Sequence, residues 1–145
     1  MTKDRLLSII LIVIIVATIA LLGYTISNPY KGDPFTEFYI LGQEGQADNY
    51  PGEIVLGDSA TVILGIVNHE QGVARYRVEI KAFDELIGSL DWITLPDEQK
   101  YEKEIAFSPL VAGENQKIEF LLYLGGSTNP YLSLHLYVDV ISSNS

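Results

Sequence analysis

Residues 6–22, LLSIILIVIIVATIALL, interrupt their apolar run only at Ser8 and Thr18 and carry no charge. About twenty apolar residues are what a helix needs to cross roughly 30 Å of hydrocarbon, so the stretch predicts a transmembrane anchor. Beyond residue 34 the period changes. FTEFYILG (35–42) is rich in aromatic and branched residues and reads as a strand stopped by Gly42; after the turn-rich loop QEGQADNYPG, EIVLGDS reads as a short strand and turn. In ATVILGIVNHE, Ala60, Val62, Leu64 and Ile66 face one way and Thr61, Ile63, Gly65 and Val67 the other. Apolar residues on both faces predict a strand covered on both sides.

ARYRVEIKAF alternates with period two, sending Tyr76, Val78, Ile80 and Ala82 inward and Arg75, Arg77, Glu79 and Lys81 to solvent. Residues 84–100 hold no sustained period and predict one short strand over 92–95, between turns at Gly88 and Pro96. YEKEIAFSPL places Ile105 and Phe107 inward, and QKIEFLLYLGG lines up Ile118, Phe120, Leu122 and Leu124. The last run sets Leu132, Leu134, Leu136, Val138 and Val140 against Tyr131, Ser133, His135, Tyr137 and Asp139. Some seven short strands, spaced about ten residues apart and separated by Gly, Pro and Asn turns, predict an all-β antiparallel sandwich. Its expected core is Val62, Leu64, Ile66, Tyr76, Val78, Ile80, Ile118, Phe120, Leu122, Leu134, Leu136 and Val138.

The chain therefore divides into a cytoplasmic stub and anchor (1–26), a linker SNPYKGDP (27–34) and a β-domain (35–145). Lys3 and Arg5 before the apolar run, against Lys31 behind it, place the N-terminus in the cytoplasm and the domain outside, and Tyr24 and Tyr30 suit the outer interface. A cleaved signal usually has an apolar core of only about 7–15 residues and an A-x-A site. Here the run is longer and no A-x-A follows, although Gly23, Thr25 and Ser27 supply small residues.

From residue 32 onward 18 acidic residues face 6 basic ones, a balance of −12. That disfavours nucleic acid and anionic headgroups, which need cations to replace released counterions. There is no cysteine, which removes disulfides, thiolate catalysis and Cys-ligated zinc, and suggests a prokaryotic source for an outward-facing domain. No glycosylation sequon stands in the chain, since Asn129 precedes Pro130.

Candidate chemistry is sparse. His69 and His135 have no third His or Cys to complete a transition-metal site, and His135 sits on the polar face of its strand. Asn68, His69 and Glu70 cluster at a strand end, either as a turn held by Asn68 hydrogen bonds or as a carboxylate–imidazole pair. Asp97, Glu98, Glu102 and Glu104 lack the D-x-D-x-D-G spacing of a calcium loop and read as a solvated charge run. No G-x-S-x-G, phosphate-cradling loop or S-x-x-K occurs in the domain. We therefore expect no enzymatic activity, no cofactor and no metal.

PFTEFYILG (34–42), Tyr50-Pro51, GIVNHE (65–70) and GENQKIEFLLY (113–123) together resemble the archaeal membrane-protein family known as domain of unknown function 1616. The resemblance spans about residues 34–124. It implies archaeal origin and an Ig-like extracytoplasmic module, and it brings no catalytic residue. Larger members carry several membrane helices, whereas this chain has one.

The function these readings imply is a single-pass, membrane-anchored binding or assembly module of an archaeal cell envelope or surface structure. Two alternatives remain open: an accessory subunit that presents substrate to a membrane enzyme of envelope glycan or lipid processing, and a pilin-like filament subunit. Against the last, no Gly follows the basic residues as a processing site. The expected partners are other envelope or membrane proteins, or a second copy of the chain, met through Tyr30, Phe35 and Tyr39. Half-buried aromatics near a linker suit such contacts.

Overall fold

A computed structural model describes residues 2–29 and 31–143, in two compact units divided after Asp33. The first unit holds one helix, α1 (Lys3–Ser27), with every described side chain exposed. Its 25 residues span about 37 Å at 1.5 Å per residue, so it is long and apolar enough to cross a membrane. Three of its hydroxyls are satisfied within the helix. The hydroxyls of Ser8, Thr18 and Thr25 each donate to the carbonyl four residues back, at 2.9, 2.8 and 2.8 Å, as a hydrocarbon environment requires.

The second unit is a β-sandwich of eight strands: β1 (Phe35–Leu41), β2 (Glu53–Val55), β3 (Ala60–His69), β4 (Ala74–Ala82), β5 (Glu85–Leu95), β6 (Lys100–Phe107), β7 (Gly113–Leu124) and β8 (Leu132–Ile141). A three-stranded sheet in the order β1-β3-β6 faces a five-stranded sheet in the order β2-β8-β7-β4-β5. All pairings are antiparallel except β2 with β8, which run parallel over Glu53↔Asp139 to Val55↔Ile141.

The core lies between the sheets. Val62, Leu64, Ile66, Tyr76, Val78, Ile118, Phe120 and Leu122 are fully buried, and Ile80 and Val138 nearly so. The rings of Phe107 and Phe120 meet edge to face at 5.8 Å across the interior. Leu134 and Leu136 correct the expected core: they are only partly buried and pack against its margin. Three strands cannot cover five, so this part of β8 floors a cleft of about 370 Å³ beside β1, walled by Phe38, Ile40, Ala47 and Tyr50.

The other departure is β5, which runs from Glu85 through Gly88 rather than beginning at residue 92. Gly88 is no turn; it lies in the ladder opposite Ile80, whose side chain occupies the space a Cβ would enter. The chain reverses instead at Phe83 and Asp84, both with positive φ (51° and 64°), the pair of left-handed residues that a tight hairpin turn uses. Two register shifts against β4 then break the alternation that would have marked the strand.

Candidate functional site

Asn68 ends β3 with its side chain wholly buried. Its amide donates to the carbonyls of Gly72 (2.8 Å) and Leu95 (2.7 Å), and its Oδ1 accepts the Glu70 N–H (2.8 Å). The Gly72 and Glu70 bonds close the β3–β4 turn, and the Leu95 bond ties that connection to the end of β5. His69 and Glu70 do not meet, because neighbouring residues of a strand point to opposite faces. Glu70 turns toward the interior side, where its Oε1 accepts from Thr36 Oγ1 (2.6 Å) and from the Tyr131 hydroxyl (2.8 Å). Since Thr36 spends its one hydroxyl proton on Glu70, the buried Tyr76 hydroxyl, 2.8 Å from the same oxygen, donates to it. The result is a relay Tyr76→Thr36→Glu70←Tyr131. Burial raises the Tyr76 phenol pKa, and the charge of Glu70 adds to the rise. The Glu70 bond raises that of Tyr131.

His69 faces outward. Its Nδ1 lies 2.9 Å from Glu98 Oε2 and its Nε2 3.6 Å from Glu37 Oε2, while Phe35 stacks on the ring at 4.6 Å. The β1–β3 register explains the stack: Phe35 pairs with His69, and Tyr39 with Gly65. Phe35 and Tyr39 therefore share the outer face of the three-stranded sheet. Phe35 is half exposed, whereas the Tyr39 ring lies flat over Gly65, where an added Cβ would come within 2.0 Å of it. The Tyr39 hydroxyl donates to Glu102 Oε2 (2.6 Å). Desolvation, that bond and the charges of Glu102 and Glu37 push its pKa up to about 12. Tyr30 lies outside the described residues.

The acidic run is dispersed. Asp97 accepts the Gln71 N–H (3.0 Å), Glu98 faces His69, Glu102 holds Tyr39 and Lys100, and Glu104 pairs in register with Ile63. Among the described residues no group of three or more His, Asp or Glu is placed to hold a metal ion. His135 is exposed, edge to face with Tyr137 at 5.4 Å.

The feature that residue patterning missed is the open edge of β1. The register partner of Thr36 is Asn68, whose N–H and C=O are bonded on the β6 side to Gln99 (3.0 Å) and Glu98 (2.7 Å). By the alternation of an antiparallel ladder, Thr36, Phe38 and Ile40 then point their backbone groups away from β3. The Tyr50 hydroxyl takes the Ile40 carbonyl (3.1 Å), and among the described residues nothing takes those of Thr36 and Phe38. Sheets usually guard such edges with charge, brevity or bulges. β2 has three residues, β5 has two register shifts, and β6 carries Lys103 opposite the inward Leu64. β1 has none of these, and FTEFYIL holds one charge, Glu37.

In class this is an Ig-like sandwich, similar in fold to CARDB domains. Two structures of the CARDB domain of a Pyrococcus furiosus protein superpose on it. The crystal structure, in complex with di-metal ions, is 12% identical with a TM-score of 0.54 over 76% of this chain and 90% of that one. The solution structure is 11% identical with a TM-score of 0.53 over 75% and 96%. At such identity the likeness is one of fold. Residues 29–139 match the family Domain of unknown function (DUF1616), and the chain belongs to that family. No curated protein matches it by sequence.

Proposed function

We propose that the protein is a non-catalytic, single-pass module of an archaeal cell envelope, its sandwich facing outward and docking a protein partner through β1. The observation that carries this reading is the unguarded β1 edge. It offers the backbone of Thr36 and Phe38 beside exposed Phe35 and a cleft floored by Leu134 and Leu136. Main-chain bonds to such an edge supply affinity, and alternate side chains entering a groove supply specificity. The partner is an extended segment of another envelope protein or of a second copy, with apolar residues at every other position. Anchoring through α1 supports the reading, since it keeps partners in one membrane.

A photoreactive residue at position 35, introduced into the full chain in native membranes, is expected to crosslink to a second polypeptide. Products confined to lipid or to the protein's own chain would reject the docking role. Hydrolase or transferase activity of the purified protein that vanishes in Glu70→Ala would reject the non-catalytic reading.

A further inference from the structure

The outer face of the five-stranded sheet collects several local costs at one place. Trp92 is the chain's single tryptophan. It sits at the β5 irregularity with φ 54°, a left-handed conformation in which a bulky side chain is strained, and it is 56% exposed. The irregularity aims the indole over Arg75, whose guanidinium carbon lies 4.3 Å from the ring centre. Beside it, Arg77 covers the Tyr123 ring at 4.4 Å. The Arg77 Nε is buried and has no hydrogen-bond partner. In a domain of 17 acids, neither arginine pairs with a carboxylate among the described residues. The nearby Glu79 is already engaged by the Tyr123 hydroxyl (2.9 Å) and by Lys81 (3.7 Å). Violations of local rules concentrate where function requires them, and bulges commonly re-aim a side chain beside a site.

We propose that Trp92, Arg75, Arg77 and Tyr123 form a binding site for a carboxylate-bearing polysaccharide. The indole has one face on a guanidinium and the rest open. A flat aromatic face matches the apolar C–H face of a pyranose ring, and the guanidinium forks match carboxylates. The Tyr123 and Lys81 contacts both fall on Glu79 Oε2, so its other oxygen is the acceptor for a sugar hydroxyl. Four of the domain's six cations, Arg75, Arg77, Lys81 and Lys117, stand on this face through β4 and β7; Lys81 and Lys117 are paired with Glu79 (3.7 Å) and Glu119 (2.8 Å) of the same face, which leaves the two arginines as the charges an anionic chain can meet. Trp92 of β5 and Arg75 and Arg77 of β4 fall on adjacent strands, with Tyr123 of β7 in register with Arg77 beneath its guanidinium, a row across which an extended polymer can lie. The site shares no residue with the β1 edge, and binding in solution tests it whichever way the domain faces.

The test is affinity electrophoresis of the full chain in detergent through gels containing polygalacturonate, dextran or polyglutamate. Retardation by polygalacturonate alone is expected, with binding weakened about tenfold or more in Trp92→Gly and in Arg75→Gln/Arg77→Gln. Trp92→Gly relieves the left-handed strain, so its Tm should hold or rise while binding is lost. A Tm that falls with binding would make Trp92 a packing residue and overturn the proposal. Absent retardation by polygalacturonate, equal retardation by polyglutamate, or unchanged binding by Trp92→Gly would each overturn it as well.

Discussion

Phe120 and Asn68 stabilise the domain by opposite means. Phe120 is wholly buried against Phe107, and removing such a ring typically costs about 3 to 5 kcal/mol. Phe120→Ala should therefore lower the Tm of the chain markedly, as followed by circular dichroism. Asn68→Leu keeps the volume but strands the carbonyls of Gly72 and Leu95 and the N–H of Glu70. A buried group left unsatisfied costs about 1 to 3 kcal/mol, so chemical denaturation should show a loss of at least that size. Tyr39 gives a pH signature. Its pKa is raised from 10.0 to about 12, so the folded state holds the phenol proton more tightly than the unfolded state. That stabilisation is complete below pH 10.0 and is lost as pH rises toward 12. Tyr39→Phe should abolish the latest step in the ultraviolet phenolate titration of the folded protein.

Tyr39 and Gly65 show how pairs of strands create what single strands do not. Gly65 leaves room in β3 for the ring from β1, a known use of glycine within a sheet. Gly65→Ala should displace the ring and move the Tyr39 titration from about 12 back toward 10.0, with little change in the other phenols. Such pairs depend on register, which alternation alone does not specify. Alternation did reveal β3, β4, β7 and β8 and the face each buries, because one side of each carries a run of at least three alternate apolar residues; the buried Asn68 and Gln116 lie at the ends of those runs in β3 and β7. It failed at β5, where two register shifts and Trp92 break the period. It made Gly88 look like a turn and hid the reversal at Phe83 and Asp84, which lack the usual Asn-Gly signature. The outward position of Phe35 and Tyr39 was legible from parity. Their contacts with His69 and Gly65 were not, and neither was the open edge beside them.

At the scale of the molecule, α1 and the sandwich set separate expectations. If α1 anchors the mature chain, alkaline carbonate should leave the protein in the membrane pellet and mass spectrometry should find residues 2–27 attached; release into the supernatant would point to a cleaved leader instead. The strand order carries a consequence for synthesis. β8 is the last strand in the chain, yet it lies inside the five-stranded sheet, between β2 and β7, and β2 has no other sheet neighbour. A growing chain cannot complete that sheet until Ile141 has emerged. At about 5–20 residues per second, the interval from Phe35 to Ile141 lasts on the order of ten seconds. During that time the nascent domain lacks its closing strand, so the five-stranded sheet stays open along β7 and locks only after the final segment has been made.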